Sequence, residues 1–97
     1  MTRQEFDNRL GLTLSRLHTL IRDKNREYTC SDALACWRKR GLAGLLPRFE
    51  DKIARVDAFV ERGGVTPGAW REVLSDIAGY AICGLIWLQA GDDPMVR

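Results

Sequence analysis

The sequence predicts an all-α fold: one compact, four-helix bundle-like domain over residues 1–97. Three observations carry that reading. Apolar residues recur at intervals of three and four along four stretches of the chain. Residues that start and stop helices stand at the ends of those stretches. No stretch alternates apolar and polar residues with the period of two that a half-buried strand requires.

The first helix is expected over residues 3–24. Thr2-x-x-Glu5 is a capping-box pattern, and Phe6, Leu10, Leu14, Leu17 and Ile21 form the apolar stripe behind it. A polar connection over residues 25–31 follows, with Thr29 or Ser31 available to cap a short second helix over 32–40 that turns Leu34 and Trp37 inward. Gly41 and Gly44 punctuate the next stretch. The third helix is expected over 47–62, because Pro47 is tolerated only in a first turn. Phe49, Ile53, Val56 and Val60 would form its apolar face, and Gly63 a left-handed stop. Thr66-Pro67 opens the fourth helix, 67–90, in cap-then-proline order. Trp70, Val73, Leu74, Ile77, Ala81, Leu85 and Leu88 would line its buried side, and Gly79 and Gly84 suggest a close helix–helix approach. Gly91-Asp92-Asp93-Pro94 ends the helical structure and leaves the last residues loose.

Composition narrows the function classes. A 97-residue chain buries a limited share of its surface, so it leans on a partner chain. Its 15 Lys and Arg against 13 Asp and Glu leave a net charge of +2, which makes no strong electrostatic case for nucleic acid. Arg38-Lys39-Arg40 is the only basic run and reads first as a solvated face. Cys30, Cys36 and Cys83 form no Cys-x-x-Cys pair, and reduced thiols fit a cytoplasmic protein. The N-terminus lacks a signal-peptide pattern, and the apolar run from Ile77 to Leu88 is short for a membrane span. His18 has no partners spaced for a catalytic triad, and no glycine-rich phosphate loop is present.

Charge on the last two helices is ordered. On a helical wheel Arg48, Lys52 and Arg55 fall together on one flank of the third helix, with Glu50 and Asp57 on the other. Glu72, Asp76 and Tyr80 follow one another at four-residue steps along the fourth. Carboxylates with nearby cations suit a Mg²⁺-bound phosphate, with Glu72 and Asp76 on the metal and Arg48, Lys52 and Arg55 on the phosphates. From spacing alone the pattern better fits two packed helices in which Asp76 pairs with Lys52 or Arg55 and sets their register, because structural ion pairs imitate active sites.

The run Arg48-Phe49-Glu50-Asp51-Lys52-Ile53-Ala54-Arg55 resembles the R-x-x-D-K-x-x-R segment of small phage and bacterial nucleotide-modification-associated domains. Glu72, Asp76, Ala78, Tyr80 and Ala81 match a second segment of those domains in order, and Lys24-Asn25-Arg26-Glu27-Tyr28-Thr29 looks like an upstream Lys-x-x-Asp/Glu-Tyr-Gly signature, with Thr29 in place of Gly. Such domains are similar in plan to the all-α MazG-like nucleoside-triphosphate pyrophosphatases. The resemblance implies a homodimer and a Mg²⁺-dependent nucleotide site that hydrolyses triphosphates to monophosphate and pyrophosphate. Glu72 and Asp76 would be its catalytic, metal-binding pair, completed by Glu27 or Asp51. Arg48, Lys52 and Arg55 would bind phosphates, and Tyr80 and Tyr28 the base or sugar. The chain departs from the pyrophosphatase pattern in three places. Gly68 and Ala69 stand about one turn before Glu72, where related sequences carry another acid. Glu50-Asp51-Lys52 stands where three acids share a face, and Glu72 and Asp76 are four apart rather than three. Those departures point to an alternative, a non-catalytic helical interaction module such as a phage protein that binds and inhibits a host factor.

Overall fold

A computed structural model describes residues 1–29, 32–91 and 93–96. It is all-helical among them, with no strand. The helices are α1 (Arg3–Tyr28), α2 (Ala35–Arg40), α3 (Leu45–Arg62) and α4 (Pro67–Ala90), with a 3₁₀ turn (Gly41–Gly44) leading into α3. Three are long and α2 has only six residues. The residues group into two compact units, Met1–Ala33 and Leu34–Arg97.

The first unit is built on α1. Its start is the expected capping box: the Thr2 hydroxyl accepts from the Glu5 N–H at 3.0 Å, and the Glu5 carboxylate accepts from the Thr2 N–H at 3.0 Å. The helix runs past Lys24 to Tyr28, which corrects the expected end. The cause is local. The Thr29 N–H and hydroxyl both donate to the Asn25 carbonyl, at 2.9 and 2.6 Å, and the Asn25 amide donates to the Ala33 carbonyl at 2.9 Å. Polar residues that looked like a connection instead finish the helix. No residue of α1 is buried, and Leu10 and Leu14 of its apolar stripe are about half exposed.

In the second unit α2 starts at Ala35, three residues later than expected. Thr29 closes α1 rather than capping α2, and Ser31 lies outside the described residues. The Leu34 carbonyl accepts from the Trp37 and Arg38 N–H groups instead. Gly41 stops α2 at φ +60°, with its N–H bonded to the Trp37 carbonyl. The α3 helix begins at Leu45, two residues before the expected start, so Pro47 still falls in its first turn. The α4 bounds are those expected, and the Thr66 hydroxyl accepts from the Ala69 N–H at 3.3 Å.

α3 and α4 form an antiparallel hairpin, and side chains report its register. Leu45 lies over Gly84, Phe49 meets Tyr80, Lys52 meets Asp76, and Phe59 meets Trp70. Each step forward along α3 is matched by a step back along α4. The core is small: Phe59, Val73 and Trp87 are its buried hydrophobics. α4 spans 24 residues with a mean hydropathy of 1.5 over its most apolar window, enough by length and composition to cross a membrane, a test that the core helix of a soluble protein also passes.

The buried face of α3 is rotated from its expected position. Ile53 and Val60 are 53% and 71% exposed, whereas Phe59 is 7% exposed. Phe59 meets Trp70 edge-on at 5.1 Å between ring centroids, and two aromatic rings remove more apolar area from water than two aliphatic side chains can. The rotation turns Lys52 toward α4 and carries Ile53 and Val60 away from it.

Candidate functional site

Four of the side chains singled out in the sequence, Arg48, Lys52, Asp76 and Tyr80, meet along the α3–α4 seam. The Lys52 ammonium lies 3.1 Å from the Asp76 carboxylate, with the two side chains 13% and 15% exposed. One turn toward the start of α3, the Arg48 guanidinium lies 5.2 Å from the centre of the Tyr80 ring. Phe49 holds the same ring edge-on at 6.4 Å. One turn the other way, Arg55 lies 5.8 Å from the Phe59 ring centre. A cation over an aromatic face is held by the ring quadrupole while its outer N–H groups stay free for an anion.

The placement follows from helix geometry. Residues 48, 52 and 55 of α3 and 72, 76, 80 and 83 of α4 are spaced at one-turn intervals on flanks that meet in the hairpin. Burial pushes the Cys83 thiol above its ordinary range, and the positive charge of Arg48 pulls against it. Sequence reasoning did not connect those two residues, because only the hairpin register brings them near. Glu72 stands one turn before Asp76 and is exposed, as is Asp51. Glu27 and Tyr28 end α1 in the first unit and are exposed, Tyr28 by 76%.

The residues nominated for Mg²⁺ do not fit one as they stand. Among the described residues no three His, Cys, Asp or Glu side chains are grouped as metal ligands. Asp76 faces the Lys52 ammonium, a positive charge already in the place a divalent ion would take. The pairing is the register contact that the sequence allowed as the alternative.

The opposite side of the hairpin carries an exposed apolar row on each helix, with Glu50 and Asp57 beside that of α3. Leu46, Ile53 and Val60 stand seven residues apart on α3 and are 64%, 53% and 71% exposed. On α4, Leu74, Leu85 and Leu88 are 55%, 62% and 43% exposed, with Ala81 exposed among them. Each row lies about a quarter turn from its helix's contact line, in the direction of increasing residue angle. Because the helices are antiparallel, that rotation carries both rows to the same side. Arg48, Arg55, Glu72 and Cys83 lie in the other sense, on the opposite side.

A second polar centre went unnoticed in the sequence. Asp93 is 6% exposed. Its Oδ2 accepts from the Leu42 N–H at 2.7 Å and from the Trp87 indole N–H at 2.6 Å, and its Oδ1 accepts from the Met95 N–H at 2.8 Å. These bonds, the Leu42 N–H foremost, hold the carboxyl below its ordinary range. Asp93 therefore docks a segment expected to be loose. Gly91-Asp92-Asp93-Pro94 carried a stop signal, but nothing in it named Leu42 as a partner.

In comparisons with known proteins no family model matches this chain, and no curated protein and no solved structure matches it.

Proposed function

We propose that this chain is a helical association module, cytoplasmic, whose α3–α4 hairpin pairs with a second copy through its apolar side. Two hairpins joined that way make a four-helix bundle with two-fold symmetry. One observation carries the reading: Leu46, Ile53, Val60, Leu74, Leu85 and Leu88 lie on one side of the hairpin and face solvent. Two such exposed apolar rows on one side of a hairpin suit an association surface, because leaving them in water forgoes the main driving force of helix packing. The heptad spacing of Leu46, Ile53 and Val60 suits knobs-into-holes packing.

Sedimentation equilibrium tests it. The wild type is expected to be dimeric, and Leu85→Glu or Ile53→Glu to be monomeric with its helical circular dichroism retained. A monomer at every concentration would overturn self-association and turn the search to another protein, such as a host factor, as the occupant.

The arrangement of Arg48, Tyr80 and Lys52 favours a second reading, a nucleotide site on the polar side. A guanidinium stacked on a phenol ring beside an ammonium suits a phosphate next to a base or sugar. Its Mg²⁺-dependent form, with hydrolysis to monophosphate and pyrophosphate, requires Lys52 to leave Asp76. Calorimetric titration with nucleoside triphosphates, with and without Mg²⁺, tests it against Arg48→Ala and Asp76→Ala. Binding that Arg48→Ala abolishes and Mg²⁺ leaves unchanged would support a metal-free site. Binding that needs both Mg²⁺ and Asp76 would support the pyrophosphatase-like reading. Absence of binding to the folded wild type would end both.

A further inference from the structure

The turn before α3 and the segment after α4 meet at one carboxylate. Asp93 stands 51 residues from Leu42 in sequence, yet bonds its N–H at the start of the 3₁₀ turn. It holds the Trp87 indole at the same time, and Trp87 stacks on Trp37 of α2 with ring centroids 6.3 Å apart. Gly41 makes the close approach possible. A Cβ there would fall against the Asp93 carboxylate oxygen, and its φ of +60° is a left-handed conformation that other residues rarely adopt.

Among the described residues of the segment, Asp93 alone is buried. Met95 and Val96 are 69% and 49% exposed and Pro94 is exposed, so the residues beyond Asp93 bury no apolar side chain. Gly91, at φ +79°, turns the chain off the end of α4. Among the described residues the attachment runs through hydrogen bonds to the Asp93 side chain, whereas the hairpin is held by buried rings and Val73, which is 0% exposed. Segments with few apolar contacts open at lower free energy than the core.

We propose that the segment after α4 is a releasable latch: Asp93 docks it on the 3₁₀ turn and the Trp87 indole, and it undocks as a unit while the α3–α4 hairpin stays folded. Docked, it fixes the 3₁₀ turn and covers the Trp87 indole N–H. Released, it frees the Leu42 N–H and presents the stacked Trp37 and Trp87 rings at that end of the hairpin. The basic residues Arg38, Lys39 and Arg40 of α2 immediately precede the freed turn.

Amide and indole hydrogen exchange on the full chain, read by NMR, tests the latch. In the wild type the Leu42 and Met95 amides and the Trp87 indole N–H are expected to exchange at least about tenfold faster than the Val73 amide. Asp93→Ala should speed those three sites by a further factor of about ten and leave Val73 and Ile77 within about twofold of wild type. Gly41→Ala, which leaves the carboxylate in place but blocks its approach, should give the same pattern. Equal protection at Leu42, Met95 and Val73 in the wild type would overturn the proposal. So would Asp93→Ala speeding exchange throughout α3 and α4, unfolding the chain, or leaving the three sites unchanged.

Discussion

The two sides of the α3–α4 hairpin use the same helices in opposite ways. One side and the seam beneath it carry paired groups: Lys52 with Asp76, Arg48 over Tyr80, Phe59 against Trp70. The other carries large apolar side chains with more than half of Ile53, Val60 and Leu85 in water. In a self-sufficient bundle the larger apolar share would face inward. Here the aromatic seam closes the hairpin, and a second apolar stripe is left over on each helix. That surplus is the surface that the proposed association would bury.

Substitutions should divide along the same line. The largest loss belongs to the seam. Phe59→Ala removes a buried ring and its edge-on contact with Trp70, and is expected to lower unfolding free energy by about 4 kcal/mol in urea titration. Lys52→Met removes the cation that faces the mostly buried Asp76 carboxylate, and should cost about 2 kcal/mol in the same titration. If Lys52→Met is neutral, the pair sets register without stabilising. Arg48→Ala removes a cation from an accessible ring face and should cost about 0.5–1 kcal/mol. On the apolar side, Leu85→Glu should change the stability of the monomer by no more than about 0.5 kcal/mol, because that side chain is already exposed. Its effect should appear instead as loss of the concentration dependence of the wild-type melting temperature. A large loss of monomer stability in Leu85→Glu would mean that the side is covered within the chain, and the contrast would fall.

Acid should probe the remaining contact. Hydrogen bonds hold the Asp93 carboxyl below its ordinary range. A depressed carboxylate contributes stability that is present above its unfolded-state pKa and is lost as pH falls through its folded one. The melting temperatures of wild type and Asp93→Asn are therefore expected to differ at neutral pH and to converge as pH drops below about 3.9. A constant difference down to low pH would remove the carboxylate from the acid response.

Much of the fold could be read from residue order. Thr2 and Glu5 capped α1, Thr66 and Pro67 opened α4, and Gly63 and Gly91 closed α3 and α4, because caps and stops act within a few residues of one another. The α1 end was misplaced since Asn25 and Thr29 serve a helix terminus as readily as a loop. On α3, periodicity put Ile53 and Val60 on the inner face and passed over Phe59, because the ring of Trp70 that draws Phe59 inward lies on another helix. The candidate site was legible to the extent that Arg48, Lys52, Asp76 and Tyr80 share one seam; the Arg48–Cys83 proximity and the whole Asp93 contact were not.

Residue order by itself determined where the chain is helical and which flank of each helix carries charge, because both depend on interactions within one or two turns. The tertiary structure decided the rest. The ring pair Phe59–Trp70 rotated α3, placed Lys52 against Asp76, and sent Ile53 and Val60 to the surface. The return of the chain after Gly91 brought Asp93 to Leu42. These are contacts between residues far apart in sequence, and their geometry is set by which side chains fill the space between helices, a quantity that no local pattern encodes.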